Sequence, residues 1–123
     1  MSSVENRALA ELQRDASPHG IRLFRNQVGS YKLADGRWLT SGLGEGSSDS
    51  IGWTPLLVQP HHVGQLLAVF TSIELKSPGA RTERKRLEAQ TAWLRAVQAA
   101  GGIGFFANDP QAALRLLRQL QGS

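Results

Sequence analysis

Hydrophobic and polar positions follow two periods along this chain, and each change of period marks an element. Residues 3–15 carry Val4, Ala8 and Leu12, followed by Ala16, at near-helical spacing. Ser2 or Ser3 is placed to cap that helix, and Pro18 and Gly20 to stop it. From Ile21 to Val28 the spacing predicts a strand, with Ile21, Leu23, Arg25 and Gln27 on one face and Arg22, Phe24, Asn26 and Val28 on the other. Neither face is cleanly apolar. A short strand follows from Asp49, limited by Pro55. The longest apolar run, Leu66 to Lys76, predicts a central strand covered on both faces and ending at Ser77-Pro78-Gly79. Residues 82–100 predict the clearest helix, with Thr82 as N-cap and Glu83 in the first turn. Its stripe is Leu87, Gln90 or Thr91, Leu94, and Val97 or Gln98, closed by Gly101-Gly102. Ile103 to Ala107 reads as a strand, and Asn108 or Asp109 caps a last helix, Pro110 to Gln121, with Ala113, Leu114, Leu117 and Leu120 on its apolar side. This order predicts an α/β fold, a mixed sheet covered by helices on both faces.

The segments between these elements narrow the picture. Residues 29–48 hold Gly29, Gly36, Gly42, Gly44 and Gly46, and Asp35-Gly36 predicts a tight turn, so a hairpin or excursion followed by a mobile loop is expected. Gly42-x-Gly44-x-Gly46 lacks the following Gly-Lys-Ser/Thr and helix pattern of a phosphate loop, and the glycines are better explained by sharp turns or close backbone approach. His61 and His62 are adjacent and have no third ligand at metal spacing, which favours a surface or nucleic-acid contact over a metal site.

Composition excludes several classes. A chain of 123 residues, 41% hydrophobic and 20% charged, is expected to form one domain over residues 1–123 with a real core. Without cysteine there are no disulfides or thiolate sites, so any metal must use oxygen or imidazole ligands, which favours a hard cation. The N-terminus shows no apolar signal region and no run spans a bilayer, so a cytoplasmic location without membrane contact is expected. Residues 1–76 carry seven Lys/Arg and seven Asp/Glu, whereas residues 77–123 carry seven and three, so the whole net charge of +4 lies downstream. That asymmetry fits a polyanion partner or, more simply, a solvated basic helix surface.

One stretch resists a purely structural explanation. In Ile73-Glu74-Leu75-Lys76 the acid and the base stand two residues apart on a predicted strand, so both project from one sheet face. Two charges there are tolerated when they pair or hold an ion. Asp49 stands where an upstream strand begins, and Gln90 falls on or beside the docking face of the long helix, within reach of the pair or simply bonded to a loop carbonyl. Arg81, Arg84, Lys85 and Arg86 crowd the start of that helix, and Arg25, with Asn26 and Gln27, is either edge-strand decoration or a polar group beside a site. Hard oxygen ligands, a lysine and a basic flank are what metal-assisted phosphodiester hydrolysis needs: the ion activates water and neutralises phosphate charge while the lysine orients the water.

These residues together resemble the PD-(D/E)xK nuclease superfamily, and within it a small stand-alone, phage-type virus-type replication-repair nuclease (VRR-NUC) domain. The resemblance runs through Gly46-Ser47-Ser48-Asp49-Ser50-Ile51-Gly52, Ile73-Glu74-Leu75-Lys76-Ser77, Arg84 to Gln90 with Trp93, and Gly101-Gly102, and covers nearly the whole chain. It implies a restriction-endonuclease-like α-β-β-β-α-β core with Asp49, Glu74 and the Leu75 carbonyl as metal ligands, Lys76 as catalytic lysine and Gln90 completing the site. Glu5 matches a first-helix glutamate that often adds a carboxylate. Ser48 replaces the proline of the family motif, which bears on loop rigidity and not on chemistry. The implied activity is a Mg2+-dependent DNA endonuclease, with Mn2+ able to substitute. It would be specific for branched or Holliday-junction-like DNA, act as a homodimer, and work in a bacterial cell or phage-infected host. Arg25, Arg81, Arg84, Lys85 and Arg86 are the expected DNA contacts. The competing readings are a catalytically silent DNA-binding module of the same fold and a structural Glu74–Lys76 ion pair in an unrelated fold.

Overall fold

The computed structural model describes residues 3–77, 79 and 81–122, which form two compact units, residues 1–56 and 57–123. The first unit begins with helix α1 (Ser3–Ala16), whose N-terminal neighbour Ser2 lies outside the described residues. A single 3₁₀ turn (Ser17–His19) leads to strands β1 (Arg22–Arg25), β2 (Gly29–Lys32), β3 (Trp38–Ser41) and β4 (Ser50–Trp53). Two antiparallel pairs result: β1 with β4, matching Leu23 to Gly52, and β2 with β3, matching Tyr31 to Leu39. The β2–β3 pair is the expected hairpin. Its turn closes through Leu33 N–H to the Arg37 carbonyl (2.7 Å), while the Asp35 carboxylate accepts from the Arg37 backbone N–H (3.0 Å) and Nε (2.6 Å). In β4 a Cβ at Gly52 would collide with the Arg22 carbonyl, so only glycine lets the two strands close at that point.

The predicted stripe of α1 is corrected. Leu9 and Ala16 are the buried residues, while Val4 and Leu12 are exposed. The helix turns its 6/9/13/16 side toward β1, where Asn6 accepts from Arg25 Nη2 (2.7 Å) and Gln13 Nε2 donates to the Leu23 carbonyl (2.9 Å). Polar anchors, which periodicity of apolar residues does not register, set the rotation. The strand expected over 21–28 ends at Arg25, because Asn26 turns its side chain inward to bond a loop.

The second unit contains a 3₁₀ turn (Pro60–His62), strand β5 (Thr71–Leu75), helix α2 (Arg84–Ala99), strand β6 (Ile103–Ala107) and helix α3 (Pro110–Leu120). β5 and β6 pair in parallel, with Glu74 opposite Phe106, joined through α2. The long central strand expected from Leu66 onward is corrected to five residues. The ladder begins with Ile103 N–H donating to the Phe70 carbonyl (2.8 Å), and Leu66 upstream of it is fully exposed at 101%. An apolar run forms a strand only as far as its partner extends, and β6 supplies five residues. Both ends of β5, Thr71 and Leu75, are exposed rather than doubly covered.

Helix α2 also starts later than expected. Glu83, not Thr82, occupies the N-cap, and Leu94 and Val97 are the buried residues of the stripe, with Leu87 exposed. Asp109 caps α3, accepting from Gln111 N–H (3.3 Å) and Ala112 N–H (3.2 Å), ahead of Pro110 in the first turn. Ala113 is buried and Leu117 partly covered, but Leu114 and Leu120, expected on the apolar side, are exposed. Among the described residues the strands thus form three two-stranded sheets where one mixed sheet is expected, and with three α-helices the architecture is mixed α/β.

Candidate functional site

In residues 57–123 the period of β5 places Ser72, Glu74 and Lys76 on one face, and the face of α2 carrying Gln90 and Trp93 meets them. Trp93 Nε1 donates to Ser72 Oγ (2.8 Å), pinning the helix against the strand. Lys76 lies just past the end of β5 but stays in the ladder through its backbone N–H to the Ala107 carbonyl (2.8 Å). Its ammonium donates to Gln90 Oε1 (2.6 Å) and to Thr82 Oγ1 (3.0 Å). Gln90 Nε2 donates to Glu74 Oε1 (2.9 Å), and the ammonium stands 3.6 Å from the same oxygen.

Gln90 is therefore a two-ended connector. Its carbonyl end meets the cation and its amide end meets the anion, and reversing the amide would set donors against the ammonium. The three side chains are fixed relative to one another with Glu74 at 37% and Lys76 at 24% side-chain exposure, covered enough to be ordered and open enough to meet a ligand. Thr82, expected as a helix cap, instead serves Lys76.

In residues 1–56 the remaining carboxylates are positioned by different means. Asp49 is exposed and precedes β4; it shares the lining of a cavity of about 220 Å³ with Glu5, Ala8, Leu9 and Leu12 of α1. What sets Asp49 in place is Asn26, at 6% exposure the buried polar side chain of the described residues. Asn26 Oδ1 accepts from Leu43 N–H (2.8 Å), its Nδ2 donates to Ser47 Oγ (2.8 Å) and the Ser48 carbonyl (2.8 Å), and its backbone N–H donates to the Asp49 carbonyl (2.9 Å). One side chain thus clamps the glycine-rich loop from both ends. Gly42 makes the clamp possible: its φ of +78° lies in the left-handed region, and a Cβ there would sit 2.6 Å from the Gln27 carbonyl oxygen. Sequence reasoning noticed Asn26 only as a polar residue near a strand end; its single sign was a small amide where an apolar strand position was due.

The basic residues divide. Arg25 bonds Asn6 of α1, giving it a structural task. Arg81, Arg84, Lys85 and Arg86 are all exposed at the start of α2, with Arg84 Nε bonding Glu88 (3.2 Å) in a solvated pair. His62 Nδ1 accepts from Gln59 N–H (2.9 Å), so it closes its own 3₁₀ turn, and its ring lies 4.0 Å from that of His61.

The structure thus brings Glu74, Lys76 and Gln90 together in one unit, with Leu75 between the charged pair, and Glu5 with Asp49 in the other. The candidate ligands in the two groups, Glu74 and the Leu75 carbonyl in one and Glu5 and Asp49 in the other, offer oxygen, the donor a hard cation takes. Among the described residues no three His, Cys, Asp or Glu side chains gather as a complete cage. A magnesium ion does not require one, since it is commonly held by one or two carboxylates with water and substrate phosphate completing its shell. Among the described residues no helix is long and apolar enough to cross a membrane. Compared with known protein families, curated proteins and solved structures, the chain gives no match, so what the site does must be argued from its own geometry.

Proposed function

We propose that this protein is a divalent-metal-dependent endonuclease that hydrolyses phosphodiester bonds in branched DNA. The observation that carries the reading is the Glu74–Gln90–Lys76 connection, in which a helix glutamine holds a strand carboxylate and a strand ammonium at 2.9 and 2.6 Å. Gln90 holds the ammonium at 2.6 Å while the direct ammonium–carboxylate separation is 3.6 Å, an arrangement that orders the two charged groups without closing them on each other. The order of elements also supports it: with the β2–β3 hairpin set aside as an excursion, the chain runs α-β-β-β-α-β before α3.

In this reading Glu74 and the Leu75 carbonyl would hold Mg2+ or Mn2+, and the resemblance adds Asp49 and Glu5 to the ligand carboxylates. A divalent ion bound there would supply an activated water and charge neutralisation at the phosphate. Lys76, fixed by Gln90 and Thr82, orients the attacking water and offers its positive charge to the phosphate oxygens as charge accumulates there. Arg81, Arg84, Lys85 and Arg86 attract the DNA backbone, and a homodimer in the cytoplasm of a bacterial or phage-infected cell presents two sites to the two strands of a junction.

Incubating the protein with linear and branched DNA in Mg2+ or Mn2+ tests the proposal. Cleavage lost on removing the metal and in Glu74→Ala and Lys76→Ala supports it; equal cleavage by both variants and the parent sinks it. Salt-dependent DNA binding with no cleavage in any metal would identify a binding module instead.

A further inference from the structure

A cleft of about 360 Å³ opens between β6 and α3 in the second unit, at the carboxyl ends of the parallel pair β5–β6, lined among others by Lys76, Phe105, Phe106, Asn108, Ala112 and Leu116. Its volume is that of a small-molecule site, and the ends of parallel strands are where such sites form. We propose that this cleft receives an unpaired nucleobase of the same DNA strand whose phosphate meets Lys76, an inference that rests on the nuclease reading for the identity of that strand.

Four observations support this occupant. Phe106 pairs in register with Glu74, so its ring belongs to the face bearing Glu74 and Lys76, and at 38% exposure it keeps an aromatic surface accessible. The Lys76 ammonium lies over that ring at 5.9 Å from its centroid, placing a phosphate-attracting charge against the aromatic platform. The opposite wall is rigid and spare: Asp109 and Pro110 fix the start of α3, and Ala112 and Ala113 leave open the volume a larger side chain would fill. Asn108 adds a donor and an acceptor at the rim for the polar edge of a base.

Aromatic stacking beside a cation is the recurring way to hold single-stranded nucleic acid without sequence preference, because every base presents a π-face. A base inside a duplex has both faces covered and enters such a cleft only after leaving its stack. The cleft therefore selects strands in which a nucleotide next to the held phosphate is already unpaired, as at flaps, junction centres and frayed ends. A continuous duplex lacks such a nucleotide.

The test uses the full chain and a single-stranded oligonucleotide carrying 2-aminopurine, with metal omitted so that nothing is cut, and a distal dye reporting total binding by anisotropy. Quenching of 2-aminopurine on binding is expected. In Phe106→Ala and in Ala112→Trp, which fills the cleft, the quench should disappear and affinity should fall on the order of tenfold. Phe106→Tyr should retain both, and thermal unfolding confirms that each variant is folded. No quench with the parent protein, or the same quench in all variants, overturns the proposal. The two readings separate cleanly. Quenching that depends on Phe106 in a protein that cuts no DNA keeps the cleft and removes the nuclease, whereas metal-dependent cleavage with a quench indifferent to Phe106 does the reverse.

Discussion

The two groups of candidate residues are held in place by opposite strategies. In residues 57–123, Glu74, Lys76 and Gln90 lie on or at the end of regular elements and bond one another directly, so the site is an extension of the packing of α2 on the β5–β6 pair that buries Leu94 and Val97. In residues 1–56, Asp49 lies on irregular chain and is positioned through its backbone by Asn26, a residue that bears no charge. The first arrangement fixes side-chain atoms to one another; the second fixes a loop and leaves the Asp49 side chain exposed. Damage to the first should therefore appear as lost chemistry with the fold intact, and damage to the second as lost local structure with the chemistry following.

Several substitutions sharpen or break that contrast. The largest effect is expected for Glu74→Gln and Lys76→Ala, each lowering metal-dependent DNA cleavage on the order of 10²–10³-fold with little change in the thermal unfolding midpoint. A large drop in that midpoint would move the pair from chemistry to stability. Gln90→Ala, which keeps both charges but removes the connector, should reduce cleavage roughly 10–100-fold. Gln90→Glu should be at least as harmful, because it replaces the donor facing Glu74 with a second carboxylate.

Asn26→Ala should act through the fold. It removes three part-buried hydrogen bonds to the loop, at about 0.5–1.5 kcal/mol for each, read by chemical denaturation, and hydrogen exchange should rise at Leu43. Asn26→Asp retains the acceptor for Leu43 N–H but loses both amide donors, so partial rescue at most is expected; full stability in either variant would refute the clamp. Smaller again, Asp109→Ala removes the α3 cap at about 1 kcal/mol, and it should also weaken the 2-aminopurine quench. The smallest stability change belongs to Arg84→Ala, whose exposed pair with Glu88 is worth less than about 1 kcal/mol. Its DNA affinity should fall with a salt dependence shallower by about one counterion.

How much of this was legible in the sequence differs between the units for the same reason. Period 2 in Ile73-Glu74-Leu75-Lys76 and period 3.6 from Leu87 to Val97 are local properties, and each points its polar members to the face that meets the other, so Glu74, Lys76 and Gln90 could be gathered on paper. The hairpin at Asp35-Gly36 and the cap at Asp109 were legible for a similar reason, since turn and cap chemistry is decided within four residues. Asn26 was not. Its partners are 17 to 22 positions downstream, and a hydrogen bond between a side chain and a distant backbone leaves no periodic trace. The rotation of α1 escaped because Asn6 and Gln13 set it through polar bonds. The extent of β5 escaped because nothing in the apolar run from Leu66 marks where the strand starts; Ile103, the first residue of β6, sets it by pairing with Thr71.

By itself the sequence determined the kind and order of the elements, the pairing of an acid and a base on one strand face, the presence of a glutamine on the facing helix, and a basic second half in a chain without cysteine. These follow from spacing and side-chain chemistry alone. Only the tertiary structure decided that Gln90 spans Glu74 and Lys76 with both ends of its amide, that Thr82 serves the lysine rather than the helix, that Asn26 holds the Asp49 loop, and that a cleft remains beside Phe106. Each of these depends on distances between residues far apart in the chain, which packing sets and which no local pattern carries.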